Sequence, residues 1–391
     1  MKVCKPSWKN GHPDILASDC RNPMTLITKI EIILLNIPYP HPFRIALAVM
    51  DNAQNIVVRL HDSDGLVGVG EGCPPRFVTG EAPETALEAT KLYANLLIGK
   101  NSLELDARLA ELERFMLKNS AVRCAFDLAL YDLLAKHANL PLYALLGGSK
   151  KIIHSNRTIG MDTPENMAET AQAFTAGGAR SLKVKLGSGR DEDVARVNAI
   201  HAAIGKSIPM RLDANQAWDE ATAISALNAM LDCNVQVCEQ PLPYWNETGL
   251  RRVREHSPIP IMADESIFTP QDAFRMAAAG TVDYFNIKLA KSAGIHNALK
   301  INAIGEAAGI KCMLGGMAES LIGVSAGAHL LCACPNIALA DLDSPFHFSE
   351  DPTIGGVGFQ ADGTVTLSDA PGHGADVKPE WIEKSQKVVI I

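Results

Sequence analysis

Leu182-Lys-Val-Lys-Leu186, Pro209-Met-Arg-Leu-Asp213, Val235-Gln-Val-Cys-Glu239, Pro260-Ile-Met-Ala-Asp264 and Tyr284-Phe-Asn-Ile-Lys288 decide how this chain folds. Each is a short, largely apolar run of strand length, with a Lys, Asp or Glu at or beside its C-terminal end. Similar runs lie at 152–158, 311–315 and 337–341, with helical patterns at 164–176, 191–204, 219–231, 270–279, 295–308 and 319–332 between them. Steps of 24 to 28 residues separate Lys185, Asp213, Glu239, Asp264, Lys288, Gly315 and Asp341. Eight evenly spaced strands with helical crossovers predict a parallel α/β barrel of the (β/α)₈ type. An open doubly wound sheet, the competitor, has no need of such regularity.

Upstream the pattern differs. Strand-like stretches at 27–37, 53–61 and 66–71 precede helical patterns at 81–97, 103–117 and 120–137, an α+β arrangement. The expected division is an N-terminal extension over 1–24, an α+β domain over 25–148 and a barrel over 149–344. A C-terminal segment, 345–391, returns to the first domain.

The whole chain has 391 residues, 47% of them hydrophobic and 20% charged, with a net charge of −8. This excludes disordered, collagen-like and coiled-coil classes, and it argues against nucleic-acid and anionic-membrane binding. No apolar stretch reaches the roughly 18 residues of a membrane span, and residues 1–24 lack the apolar core of a signal peptide. The 9 cysteines contain no C-x-x-C pair. A cytoplasmic protein with reduced thiols is the expectation, and a homo-oligomer the expected assembly.

In a parallel barrel all strand C-termini open at one rim, where sites form. Asp213, Glu239 and Asp264 come from neighbouring strands, so their carboxylates are expected to converge within a few ångströms. Like charges so close need compensation. A carboxylate-only set without His or Cys points to Mg²⁺, with Mn²⁺ as the alternative. Asn215 and Glu265 are placed to support these ligands, and Glu319 is added as a further supporting residue. Lys183 and Lys185 share one side of their strand, and Lys288 lies four strands away, diametrically opposite. A substrate carboxylate on the metal would put its α-carbon between Lys185 and Lys288. The enediolate formed on loss of the α-proton then needs the cation. A base must be neutral, and Lys183 beside Lys185 is expected to lower the lysine pKa. Bases on both faces are a racemase or epimerase geometry.

The runs Lys183-Val-Lys185, Arg211-Leu-Asp213-Ala-Asn215, Cys238-Glu239-Gln240-Pro241, Ala263-Asp264-Glu265-Ser266 and Asn286-Ile-Lys288 resemble the enolase superfamily. Within it they look like the muconate-lactonizing subgroup. The resemblance implies an α+β capping domain on a (β/α)₇β barrel, Mg²⁺ on Asp213, Glu239 and Asp264, and acid/base chemistry at Lys185 and Lys288. The mandelate-racemase subgroup uses a strand-7 His, and the run from Met313 to Glu319 has none.

Strand 8 ends Ala340-Asp341-Leu342-Asp343. These two carboxylates sit apart from the metal cluster and are expected to have no cation of their own, so a cationic substrate group would satisfy them. An Asp-x-Asp here is similar to the dipeptide epimerases, where it binds the α-ammonium; this implies a dipeptide substrate, with L-Ala-D/L-Glu leading. Lys183, Gly315 and Met317 complete the substrate set on the barrel side. In the cap, Arg44 and Thr79, within 42–44 and 74–80, are the candidates for reading the side chain. Arg44 aligns with an arginine that some Ala–Glu epimerases set against the glutamate carboxylate, although a structural arginine is an equal reading. Muconate cycloisomerase, N-acylamino acid racemase or o-succinylbenzoate synthase activity is the alternative, and a non-catalytic ligand-binding barrel a third. Gly68-Val-Gly-Glu-Gly72 lacks the G-x-G-x-x-G spacing, so no nucleotide site is inferred.

Overall fold

The computed structural model describes residues 24–391; all but the last residue of the extension read over 1–24 lies outside the described residues. The N-terminal strands Ile27–Arg44, Val49–Asp62 and Val67–Gly72 form an antiparallel sheet, and the C-terminal strand Gln386–Ile390 pairs with the outer edge of the first. Strand alternation feeds two cores. Ile30, Ile32, Val58 and Leu60 belong to the main core shared with the helices. Ile33, Leu35, Ile37 and Val57 pack instead with Phe348, Val377 and Trp381 of the C-terminal segment.

The glycines of Gly68-Val-Gly-Glu-Gly72 have a packing reason. Helix Ser120–His137 presents Ala121, Ala125 and Ala129, one turn apart, to this strand. A Cβ on Gly68, Gly70 or Gly72 would lie 2.1 Å from the carbonyl oxygen of Ala129, Ala125 or Ala121 respectively. Strand and helix backbones touch, and only glycine allows it.

The second unit is a ring of eight parallel strands in sequence order. They are Arg157–Ile159, Leu182–Lys185, Met210–Asp213, Val235–Glu239, Ile261–Ala263, Tyr284–Lys288, Lys311–Gly315 and Ile337–Asp341. A parallel bridge between Ser155 and Ala340 closes the ring. The run 152–158 proves to be two pieces. Ile153–His154 pairs with Thr364–Thr366 outside the barrel, and only Arg157–Ile159 joins it. Seven helices cross between the strands, including Glu247–His256 after the fourth.

Val237, Met262, Met313 and Leu339 form a separate apolar cluster inside the ring. Each precedes Glu239, Asp264, Gly315 or Asp341 by two positions, so each pair shares one side of its strand. An apolar plug therefore sits beneath a layer of ionisable groups at the C-terminal rim. Among the described residues no helix is long and apolar enough to cross a membrane. The seven described cysteines are all buried and free.

The Gly70→Ala variant is expected to lose about 1–3 kcal/mol through overpacking, read as a lower urea midpoint with an unchanged slope.

Candidate active site

A cavity of about 100 Å³ opens where the rim meets the cap, lined from the barrel by Lys183, Lys185, Asn215, Asp264, Glu265, Lys288, Asp341 and Asp343, among others. Lys185 and Lys288 end the second and sixth strands of the ring, four strands apart, and both face this one space. Asp213 and Glu239 lie just beneath, fully buried.

Asp213, Glu239 and Asp264 do come together, but not as bare carboxylates. Among the described residues no three carboxylate, imidazole or thiolate side chains are gathered to share one cation. Ammonium groups stand between them. Lys183 Nζ lies 2.8 Å from Asp341 Oδ2, 2.8 Å from Glu239 Oε2 and 3.1 Å from Asp213 Oδ2. Lys185 Nζ donates to Asp213 Oδ2 at 2.6 Å and to Asn215 Oδ1 at 3.2 Å. Lys288 Nζ is 2.9 Å from Asp264 Oδ2, and Lys291 Nζ donates to Asp264 Oδ1. The reason is electrostatic: a buried carboxylate without a partner costs several kcal/mol, and the lysines are the nearest opposite charges.

Two expectations change with this. Asp341 does have a cation of its own, since Lys183 on the second strand reaches it. Lys183 does act to lower Lys288, but the acids dominate both of these lysines. Burial pulls the pKa of Lys183 down, but Asp341, Glu239 and Asp213 outweigh that and hold it well above the ordinary value. Lys288 is likewise raised, by Asp264 against its burial. Asp264 is held low by Lys288 and Lys291 despite burial. Glu239 is pushed up by burial and by Asp213, and Glu265 reaches about 7 for the same kind of reason, burial and then Asp264.

The supporting residues fall partly where expected. Asn215 links Lys185 to Glu265, its Nδ2 donating to Glu265 Oε1 at 3.2 Å. Glu319 Oε2 accepts from the Met317 amide at 2.6 Å, fixing the loop that puts Met317 on the cavity wall. Gly315 stops short of the cavity. A Cβ there would lie 2.4 Å from Asn286 Oδ1, and Asn286 Nδ2 donates to Glu239 Oε1 at 2.7 Å. Gly315 thus makes room for the residue that holds Glu239.

The cap candidates are displaced as well. Thr79 braces its loop, its hydroxyl donating to the Pro75 carbonyl and accepting from the Glu81 amide, each at 3.3 Å. Arg44 is exposed and lines an adjoining outer cavity rather than this one. Residues not foreseen include Lys291, Asn286 and Thr158. Lys291 follows Lys288 by three on the turn Leu289–Ser292, a helical spacing visible in the chain. Thr158 gives Asp343 two hydrogen bonds, from its amide at 2.6 Å and its hydroxyl at 3.0 Å.

A divalent cation suits the donors present. Asp213, Glu239 and Asp264 offer hard oxygen donors, all buried, and Glu239 Oε2 has no hydrogen-bond donor even with Lys183 nearby.

Comparison with known proteins agrees with this geometry. Residues 29–147 match the mandelate racemase / muconate lactonizing enzyme N-terminal domain, and residues 166–381 match the enolase C-terminal domain-like family. A hydrophobic dipeptide epimerase of Enterococcus faecalis is 41% identical over 89% of this chain and 99% of its own length. An L-Ala-D/L-Glu epimerase of Clostridium acetobutylicum is 36% identical over 90% of this chain and 99% of its own. The crystal structure of a dipeptide epimerase from Cytophaga hutchinsonii, complexed with Mg and the dipeptide D-Ala-L-Val, superposes with a TM-score of 0.92. It has 38% identity and covers 94% of this chain and 100% of that one. The chain belongs to the mandelate racemase / muconate lactonizing enzyme family of the enolase superfamily.

Proposed function

We propose that this protein is an isomerase, a Mg²⁺-dependent dipeptide epimerase that inverts the α-carbon of the C-terminal residue. Its substrates are dipeptides, with L-Ala-D/L-Glu within the range that it turns over. The observation that carries the reading is the placement of Lys185 and Lys288 on opposite sides of one ring, facing one cavity. One amine takes the α-proton from one face, and the other ammonium returns a proton to the opposite face. The C–H bond broken and the C–H bond formed balance, and the two lysines exchange protonation states.

Asp213, Glu239 and Asp264 would hold the cation. Bound there, it supplies positive charge that neutralises these carboxylates and polarises the substrate carboxylate. With the charges of Asp264, Glu239 and Asp213 all offset by the cation, burial and the nearby Lys183 would favour the neutral amine that a base needs. Mn²⁺ has the same preference for oxygen donors.

Asp343 is suited to the substrate ammonium. Its carboxylate takes two bonds from Thr158, and its nearest ion-pair partner is His347, at 3.7 Å. Asp341 is occupied by Lys183 and by Asn156 Nδ2 at 2.8 Å. The pair is thus asymmetric, with Asp343 carrying the recognition. A cytoplasmic location and a homo-oligomeric assembly belong to the same proposal.

In D₂O the α-position is expected to take up deuterium with inversion. Lys185→Ala and Lys288→Ala should each cut epimerisation by at least about 10²-fold; normal turnover in both would exclude the two-base assignment. Asp343→Asn is expected to raise KM for a free dipeptide more than Asp341→Asn does. Insensitivity of both variants would favour an N-acylated substrate.

A further inference from the structure

Given the epimerase reading, on which it rests, we infer that the side chain at the reacting centre is selected as an apolar one, by a wall that the cap builds without a single charge. Every Lys, Asp and Glu of the cavity comes from the barrel, and its three lysines already face Asp213, Glu239, Asp264 or Asp341; the imidazole of His347, from the C-terminal segment, is turned to Asp343 at 3.7 Å. The cap contributes Phe43, Ile45, Met50, Phe77 and Val78 together with Cys73 and Pro75. None can donate a strong hydrogen bond to a carboxylate.

The wall is built to stay in place. The amide of Ile45 donates to the Ala48 carbonyl at 3.0 Å, and the Met161 amide at the end of the first barrel strand donates to the Arg44 carbonyl at 3.2 Å. The amides of Val78 and Thr79 both donate to the Pro75 carbonyl at 2.9 Å, holding Phe77 and Val78 on a tight turn. Phe43 divides this chamber from the outer cavity. Its ring packs 4.6 Å from that of His347 and within 3.5 Å of a Cβ position on Gly160, and Phe43, Thr158 and His347 line both spaces. Arg44 lies on the outer side only. A glutamate side chain at the reacting residue would enter the chamber with no free cation to meet it. Its carboxylate would be desolvated uncompensated. A leucine or methionine side chain meets a surface of its own kind.

The experiment is a panel of L-Ala-L-X dipeptides with Mg²⁺-loaded enzyme, followed by α-deuterium exchange in a mass spectrometer. The kcat/KM for X = Leu and Met should exceed that for X = Glu at least tenfold, with Glu still turned over. Ile45→Arg and Met50→Arg, made separately, should narrow or reverse that ratio. A wild-type enzyme that turns over Glu as well as Leu overturns the apolar assignment and leaves the epimerase reading standing. So does an unchanged ratio in both folded variants. Folded, Mg²⁺-binding protein that exchanges no dipeptide in the panel overturns the epimerase reading, and this inference with it.

Discussion

Four of the carboxylates buried at the mouth of the barrel are paired there with four buried ammonium groups, and the rest of the site depends on their balance. Asp213, Glu239, Asp264 and Asp341 are matched by Lys183, Lys185, Lys288 and Lys291. Each ion alone would cost several kcal/mol to bury. Together they are affordable because Lys183 bridges three acids at once, from the third, fourth and eighth strands. The apolar plug below keeps water from entering through the floor. The layer is thus a polar network in a place where the fold would otherwise put branched aliphatics.

The cap completes the site through a joint of the same kind. Glu71, on the third cap strand, accepts from the Ser320 amide at 3.0 Å, the Ser320 hydroxyl at 2.9 Å and the Gly323 amide at 2.8 Å. It therefore satisfies the N-terminus of the barrel helix Leu321–Ala333 from outside the barrel. Asn55 ties the same carboxylate to the Ala318 carbonyl. The loop 316–318 on the cavity wall is held by these contacts and by Glu319. Barrel and cap accordingly divide the work: the barrel places charge, and the cap places shape.

Much of this was legible in the chain. The ionisable residue ending each of five runs reads directly, because strand alternation and barrel topology together dictate where such a residue points. Glycines at 68, 70 and 72 could be declined as a nucleotide loop, although only the structure showed the helix backbone against them. Arg44 was not legible. The pairing of the first two strands is irregular between Pro38 and Phe43. A break in register there means that counting along the strand no longer tells which side a residue faces. One position separates Phe43 and Ile45, on the chamber wall, from Arg44 outside it.

By itself the sequence determined the strand order, the barrel, and the acids and lysines brought to its rim. These follow from local pattern and from the few ways that parallel strands connect. The tertiary structure alone decided which charge answers which. Lys183 serves Asp341 and not only its own neighbours, Gly315 yields its place to Asn286, and Arg44 stands outside the wall. Such pairings join residues more than 20 positions apart, and their energies depend on burial and distance, quantities that exist only once the chain has closed on itself.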